Sequence, residues 1–549
     1  MEAKVLGRLR NTVVGVLVVA ILAGMFLPIY TDEVGWRFQE RAGLDGVDKL
    51  FNDICGPNTI ARPPFFMMPV RYYSAFFNTS FADPFYIRLS GVFYALLWLV
   101  LLLVLIRRIT TSPSDRLQLS IIGVGLMCLG TMPLLLVWSR PEQPILLATT
   151  AALVVAWTSG GHLPAASSAR SAWLRSVAIL LLAVFAFSYH LKAIFLTPIF
   201  LACLFFASRG RHANLPRIVI GALFVIMAAA AANYWVHRLQ CPGDPVLFTA
   251  FASNNMGMAL TGSRNWTELA SAAAKIMGNA TSLEYFRLPV PAVDPLSNWL
   301  EPGQISKGHS RIWSVVLVFL WLEMVMLAVA CIYIKVREGW SERHLDARPV
   351  LAVIILATVL AWSATQAIRN VYEASLALPL VMLAVIFALS GIRHGNRIGK
   401  WVRVASLLIG VLAIVSPLAV AAIYGPPIAR ASTQKGYLGA QPTSLPAFGY
   451  ASLKPDILGA ARKCGIDDPA RAKALMVDDL TYFAFMKSRL PQHQLGVLSI
   501  WRGTIDDPIA YLRSRGSGGA IVGCHLLPDE LRRRAKSQGA FCCLGPPHW

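Results

Sequence analysis

Long apolar runs joined by short polar turns make up most of this chain. Runs long enough to cross a bilayer fall at about 12–30, 88–106, 118–138, 144–159, 173–189, 192–207, 216–236, 312–334, 349–368, 374–391 and 402–424. The pattern predicts about eleven transmembrane helices. After residue 424 the spacing changes. "AKALMVDD", "HQLGVLSI" and "GGAIVGC" read as strands, while "LTYFAFMKSRL", "DDPIAYLRSR" and "PDELRRRAKSQG" read as helices. Strands alternating with helices predict a small α/β domain with a parallel sheet. The expected fold is therefore an all-α polytopic membrane domain, 1–424, followed by an α/β domain, 425–549.

Composition supports this reading. The 549 residues are 56% hydrophobic and 14% charged, with a mean hydropathy of +0.56, which excludes an ordinary soluble protein. Lys4, Arg8 and Arg10 precede the first run as they would in a signal peptide. That run is long for a signal and lacks a small-x-small cleavage site, so an uncleaved helix is expected.

The formal charge of +21 raises the question of a nucleic-acid partner. The positions of the basic residues argue against one. They lie in alternate short joints: Arg107, Arg108 and Arg116; Arg170 and Arg175; Arg209, Arg211 and Arg217; Lys335, Arg337 and Arg343; Arg393, Arg397, Lys400 and Arg403. By the positive-inside rule these joints and the N-terminus face the cytoplasm of a bacterial inner membrane. Residues 31–87, residues 237–311 and the C-terminal domain then lie on the periplasmic side. Six of the nine cysteines fall outside the spans. A Cys55–Cys241 bridge with the other four paired inside the C-terminal domain is one expectation, and free buried thiols are the other.

Candidate chemistry gathers at the outer ends of the spans. Asp32 and Glu33 follow the first run, and behind them Leu44, Val47, Phe51 and Ile54 alternate with Asp45, Asp48, Lys49 and Asp53 as in a helix lying in the interface. "SRPEQP" holds Arg140 and Glu142, "SYHLKA" holds Tyr189, His190 and Lys192, and "QAIRNVYEAS" holds Arg369, Tyr372 and Glu373. Cations in short outer loops run against the orientation bias. Singly each reads as a snorkelling anchor, an ion pair or, for Asp32, a helix cap. Four clusters at one depth predict a polar, cation-rich cavity open to the outside.

The "TDE" after the first span, the amphipathic helix behind it, the "SRPEQ" and "YHLK" turns, the multi-span body and the outer C-terminal domain together resemble the GT-C superfamily of membrane glycosyltransferases. That superfamily includes protein O-mannosyltransferases and the aminoarabinose transferases of lipid A. The resemblance covers the first 210 residues and, beyond them, only the layout. It implies an enzyme that moves a sugar from a polyprenyl-phosphate-linked donor to a lipid or glycan acceptor on the non-cytoplasmic side, with inversion. It makes Asp32 the first choice for general base, with Glu33 sharing that role, replacing it or orienting the acceptor.

A leaving lipid phosphate calls for cations already in place, and Lys192, Arg140, His190 and Arg369 are the candidates. Glu142, Tyr189, Tyr372, Arg62 and Arg71 are candidate substrate contacts. No metal or other cofactor is expected, although Asp32, Glu33 and Asp48 carry oxygen ligands suited to a divalent ion. Asp478-Asp479 is expected to cap a helix. The 237–311 loop, with Trp266, Tyr285, Trp299 and Glu301, is expected to lid the cavity or contact the acceptor. Two other classes fit the composition. An O-antigen ligase or polymerase would carry its key groups in the 237–311 loop, and a transporter or flippase of lipid-linked sugars would show paired helix breaks or repeats.

Overall fold

A computed structural model describes residues 2–29, 33–34, 83–157, 169–189, 191–208, 215–239, 265–281, 307–341, 346–366, 373–392, 397–433, 448–466, 475–485, 492–494 and 518–545. In chain order the helices are α1 (Glu2–Ala23), α2 (Phe85–Ile109), α3 (Pro113–Met127), α4 (Met132–Leu135), α5 (Glu142–Ala156), α6 (Ala169–Tyr189), α7 (Thr197–Ser208), α8 (Leu215–Leu239), α9 (Trp266–Thr281), α10 (Lys307–Ser341), α11 (Ala347–Ser363), α12 (Ala374–Leu389) and α13 (Arg397–Thr433). A 3₁₀ segment, Leu191–Leu196, joins α6 to α7. Every one of the eleven apolar runs is occupied by a helix among the described residues. Five stretches are long and apolar enough to cross a bilayer unaided: Lys4–Phe26, Phe85–Ile109, Arg170–Phe187, Val315–Trp340 and Arg397–Ala422. The protein is a multi-pass membrane protein.

Local chemistry explains several of the helix limits. Ser112 caps α3 by accepting from the Ser114 amide, and Pro113 takes the first helical position, where an N–H is not needed. Asp346 caps α11 by accepting from the Arg348 amide. α12 is apolar on all sides and buried along its whole length, so it forms the axis of the bundle. Helices pack closely where side chains are absent: a β-carbon on Gly410 of α13 would lie 2.8 Å from Leu9 of α1. Among the described residues, the basic side chains of these joints, Arg107, Arg108, Arg116, Arg170, Arg175, Arg217, Lys335, Arg337, Arg397, Lys400 and Arg403, lie toward the end of the bundle where α2, α5 and α12 finish.

Beyond α13 come α14 (Tyr450–Lys463), β1 (Leu475–Val477), α15 (Tyr482–Phe485), β2 (Gln492–Gln494), β3 (Ala520–Gly523), α16 (Asp529–Arg534), β4 (Lys536–Gln538) and β5 (Phe541–Leu544). They form a second apolar core around a five-stranded sheet of order β2-β1-β3-β5-β4. β1 pairs in parallel with β2 and β3, whereas β5 pairs antiparallel with β3 and β4. The expected parallel sheet is thus a mixed one.

The difference lies in "PDELRRRAKSQG", which does not form a single helix. Ala535 turns extended after α16, and the next residues enter β4. Gly539, at φ +57°, then starts the tight turn into β5. Cys464–Cys543 and Cys524–Cys542 are disulfides, so the four cysteines of this domain pair among themselves as expected, and Cys128, Cys203 and Cys331 are free and buried. Cys55 and Cys241 lie outside the described residues. So do "DDPIAYLRSR" and the interfacial helix expected at 44–54.

Candidate active site

Where α2 and α5 begin and α6 ends, buried charge runs continuously from one element to the next. Its anchor is Arg88, in the first turn of α2 and wholly buried. Its five N–H donors all find acceptors. Nε donates to the Leu27 carbonyl (3.2 Å), Nη1 to Glu33 Oε1 (3.1 Å) and the Val137 carbonyl (3.0 Å), and Nη2 to Glu33 Oε2 (2.8 Å) and the Pro28 carbonyl (2.5 Å). The guanidinium therefore ties together the end of the first span, the start of the second and the 136–141 turn. Gly91 is required beside it, because a β-carbon there would overlap the Val137 carbonyl oxygen.

Glu33 is also wholly buried. Its two oxygens face Arg88, and Oε1 accepts in addition from the Ser139 amide at 2.8 Å. The pair serves to fix backbone, since the partners of Arg88 and Glu33 include the Leu27, Pro28 and Val137 carbonyls and the Ser139 amide. Ser139 leads directly into Arg140. Arg140 Nε lies 3.3 Å from Glu142 Oε2, and Lys192 Nζ lies 2.5 Å from Glu142 Oε1 and 3.4 Å from Glu373 Oε1.

The two carboxylates owe their positions to helix ends. Glu142 opens α5 and Glu373 directly precedes α12, so each sits at a positive helix pole. Lys192, in the 3₁₀ segment, bridges them. The side chains of Arg140, Glu142 and Glu373 are 5%, 1% and 5% exposed, and that of Lys192 is 15% exposed. Lys192 is thus the member of this set best placed to meet a ligand.

Of the predicted site residues, Glu33, Arg140, Glu142 and Lys192 are brought into this one array. Tyr189 ends α6 with its ring 5.9 Å from that of Phe185. Asp32, His190, Arg369, Tyr372, Arg62 and Arg71 lie outside the described residues, as do Tyr285, Trp299 and Glu301. Trp266 starts α9 and is 85% exposed. α9 turns Ala272, Asn279 and Ala280 inward, and Asn279 Nδ2 donates to the Gln366 carbonyl at 3.0 Å.

Asp478 caps as expected. It accepts from the Leu480 and Thr481 amides and from Thr481 Oγ1, and its other oxygen accepts from the Gly523 amide at 2.7 Å. Among the described residues there is no group of three or more His, Cys, Asp or Glu placed to hold a metal ion.

Arg88 is the site residue that the loop-by-loop reading missed. A signal for it existed: it is the lone charge in the first twenty positions of an apolar span, and a charge at that place marks a specific partner.

No family model and no curated protein sequence matches the chain. Two solved structures are similar in layout. One is the oligosaccharyltransferase of Archaeoglobus fulgidus in its apo form, 12% identical, matched over 94% of this chain and 70% of that one with a TM-score of 0.37. The other is ArnT from Cupriavidus metallidurans bound to undecaprenyl phosphate, 12% identical, matched over 99% of this chain and 98% of that one with a TM-score of 0.36. At this level the likeness assigns no residue a role, and the chemistry rests on the side chains described above.

Proposed function

We propose that the protein is a membrane glycosyltransferase that takes a sugar from a polyprenyl-phosphate-linked donor and passes it to a hydroxyl of a lipid or glycan acceptor. The observation that carries this reading is the Arg140–Glu142–Lys192–Glu373 array at the end of the bundle opposite the basic joints. By the charge rule that end faces the periplasm. Nucleotide sugars are not expected there, and a donor activated on a lipid is.

In this reading Lys192 and Arg140, with His190 and Arg369 from the adjoining sequence, receive the donor phosphate. Arg140 suits a bidentate contact and Lys192 a point charge. Glu142 and Glu373 hold the cations in place before the ligand arrives, so little reorganisation is needed as charge develops. Asp32 takes the proton of the acceptor hydroxyl. The new bond forms between that oxygen and the anomeric carbon, the bond from the anomeric carbon to the phosphate oxygen breaks, and the phosphate leaves with the electron pair. Attack from the face opposite the phosphate inverts the centre. Glu33 is assigned to positioning, since both of its oxygens already serve Arg88.

The test is Asp32→Asn in the native host, with surface glycolipids and glycans compared by mass spectrometry at matched protein levels. Loss of one sugar from one defined glycan supports Asp32 as base and identifies donor and acceptor together. An unchanged profile removes Asp32 from the mechanism. Loss on changing Glu301 but not Asp32 would favour a ligase or polymerase working from the 237–311 loop.

A further inference from the structure

The core of the C-terminal domain is not closed by that domain alone. Ile29 and Val34, which flank the acid pair in sequence, and Ile87, the residue before Arg88, are buried in the same apolar cluster as Tyr450 and Ile457 of α14. The Phe448 ring adds to the joint, with its centroid 5.5 Å from those of Phe26 and Phe85. Each member of the Glu33–Arg88 pair therefore has a chain neighbour whose side chain belongs to the C-terminal core. A displacement of the domain moves the backbone on both sides of the pair at once. From the pair the linkage continues through the Val137 carbonyl and the Ser139 amide to Arg140.

We infer that the C-terminal domain is a positioning part of the charged site: by holding Val34 and Ile87 it sets where Glu33 and Arg88 meet, and through Ser139 where Arg140 is presented. Val34, Ile87 and Ile457 are positioning residues. The catalytic consequence rests on the proposed transferase activity, whereas the mechanical coupling does not. An appendage that merely folds beside the bundle would fill its own core and leave the pair untouched. Packed interfaces transmit displacement in this way because close-packed side chains have few alternative arrangements.

The experiment uses the full chain in lipid nanodiscs. Ser139→Cys places a thiol at a buried position of the coupling route, and its reaction with a membrane-impermeant maleimide is followed above the background of the parent. Adding Ile457→Ala is expected to speed proteolysis of the C-terminal domain and to raise labelling at position 139 by roughly tenfold through local opening. Faster proteolysis with unchanged labelling overturns the inference. Should Ile457→Ala leave the domain as resistant as the parent, Val34→Ala probes the same joint from the bundle side, and unchanged proteolysis there also overturns it. If labelling rises while no chain in the series transfers sugar, the coupling stands and the transferase reading fails.

Discussion

The two ends of the helical bundle use their cations in opposite ways. At the basic end, Arg108 Nη1 donates to the Val154 and Trp157 carbonyls (2.5 and 3.0 Å), and Lys335 Nζ donates to the Ala388 carbonyl (2.9 Å) and to that of Ser390. These are the last carbonyls of α5 and α12, and a cation at a helix C-terminus completes unpaired groups and complements the dipole. At the other end of the same two helices, Arg140 and Lys192 sit beside positive poles. They are held there by Glu142 and Glu373. Cations at the basic end stabilise the fold directly, whereas those at the site end occupy places that the helices alone would give to an anion. The difference teaches that placing cations at the positive poles of two helices requires two local carboxylates to hold them there.

The comparison can be broken in four places. The largest effect is expected at Arg88→Met, which leaves Glu33 buried without its cation. Removing one partner of a buried pair costs about 3–5 kcal/mol, so thermal unfolding in detergent should show a large fall in midpoint or a failure to accumulate. Lys192→Ala comes next. If Lys192 meets the donor phosphate as proposed, its loss is expected to slow transfer by about 10²–10³-fold in a radiolabelled-donor assay. At the basic end, Arg108→Met removes two helix-terminal contacts and should cost about 1–2 kcal/mol by thermal unfolding with transfer unchanged.

The smallest effect concerns Asp83, just before α2. Burial holds its carboxyl above the ordinary value, with the Phe85 amide and Lys454 opposing. A raised folded value means that the neutral form suits the fold. The contribution is full below the unfolded value of ~3.9 and is lost as pH rises through the folded value. Asp83→Asn keeps an acceptor for the Phe85 amide. It is expected to be up to ~1 kcal/mol more stable than the parent at pH 7 and equal to it near pH 4, by thermal unfolding at both.

How much of this was legible in the sequence depends on the scale of the signal. Apolar run length placed a helix at each of the eleven runs, since run length is dictated by the bilayer and needs no tertiary knowledge. Loop slack placed Arg140, Glu142 and Lys192 in one array, because "SRPEQP" and "SYHLKA" are too short to stray. Arg88 escaped notice because it lies inside a span, and its five acceptors come from segments 49 to 61 residues away in the chain. Glu33 looked equivalent to Asp32 in sequence, and only the position of Arg88 gives it a partner. The β4–β5 hairpin was hidden for a similar reason. "AKSQG" has helix-compatible residues, and the pairing of β4 with β5, together with Gly539, overrides that local preference.

The central claim is that the cations at the site end receive a lipid phosphate and those at the basic end do not. The most direct measurement is binding of a polyprenyl phosphate to the purified protein in nanodiscs, comparing parent, Lys192→Gln and Lys335→Gln at matched folding. The account predicts at least a tenfold weaker affinity for Lys192→Gln and an unchanged affinity for Lys335→Gln, a tenfold change being about 1.4 kcal/mol. Equal affinities in all three proteins would contradict it.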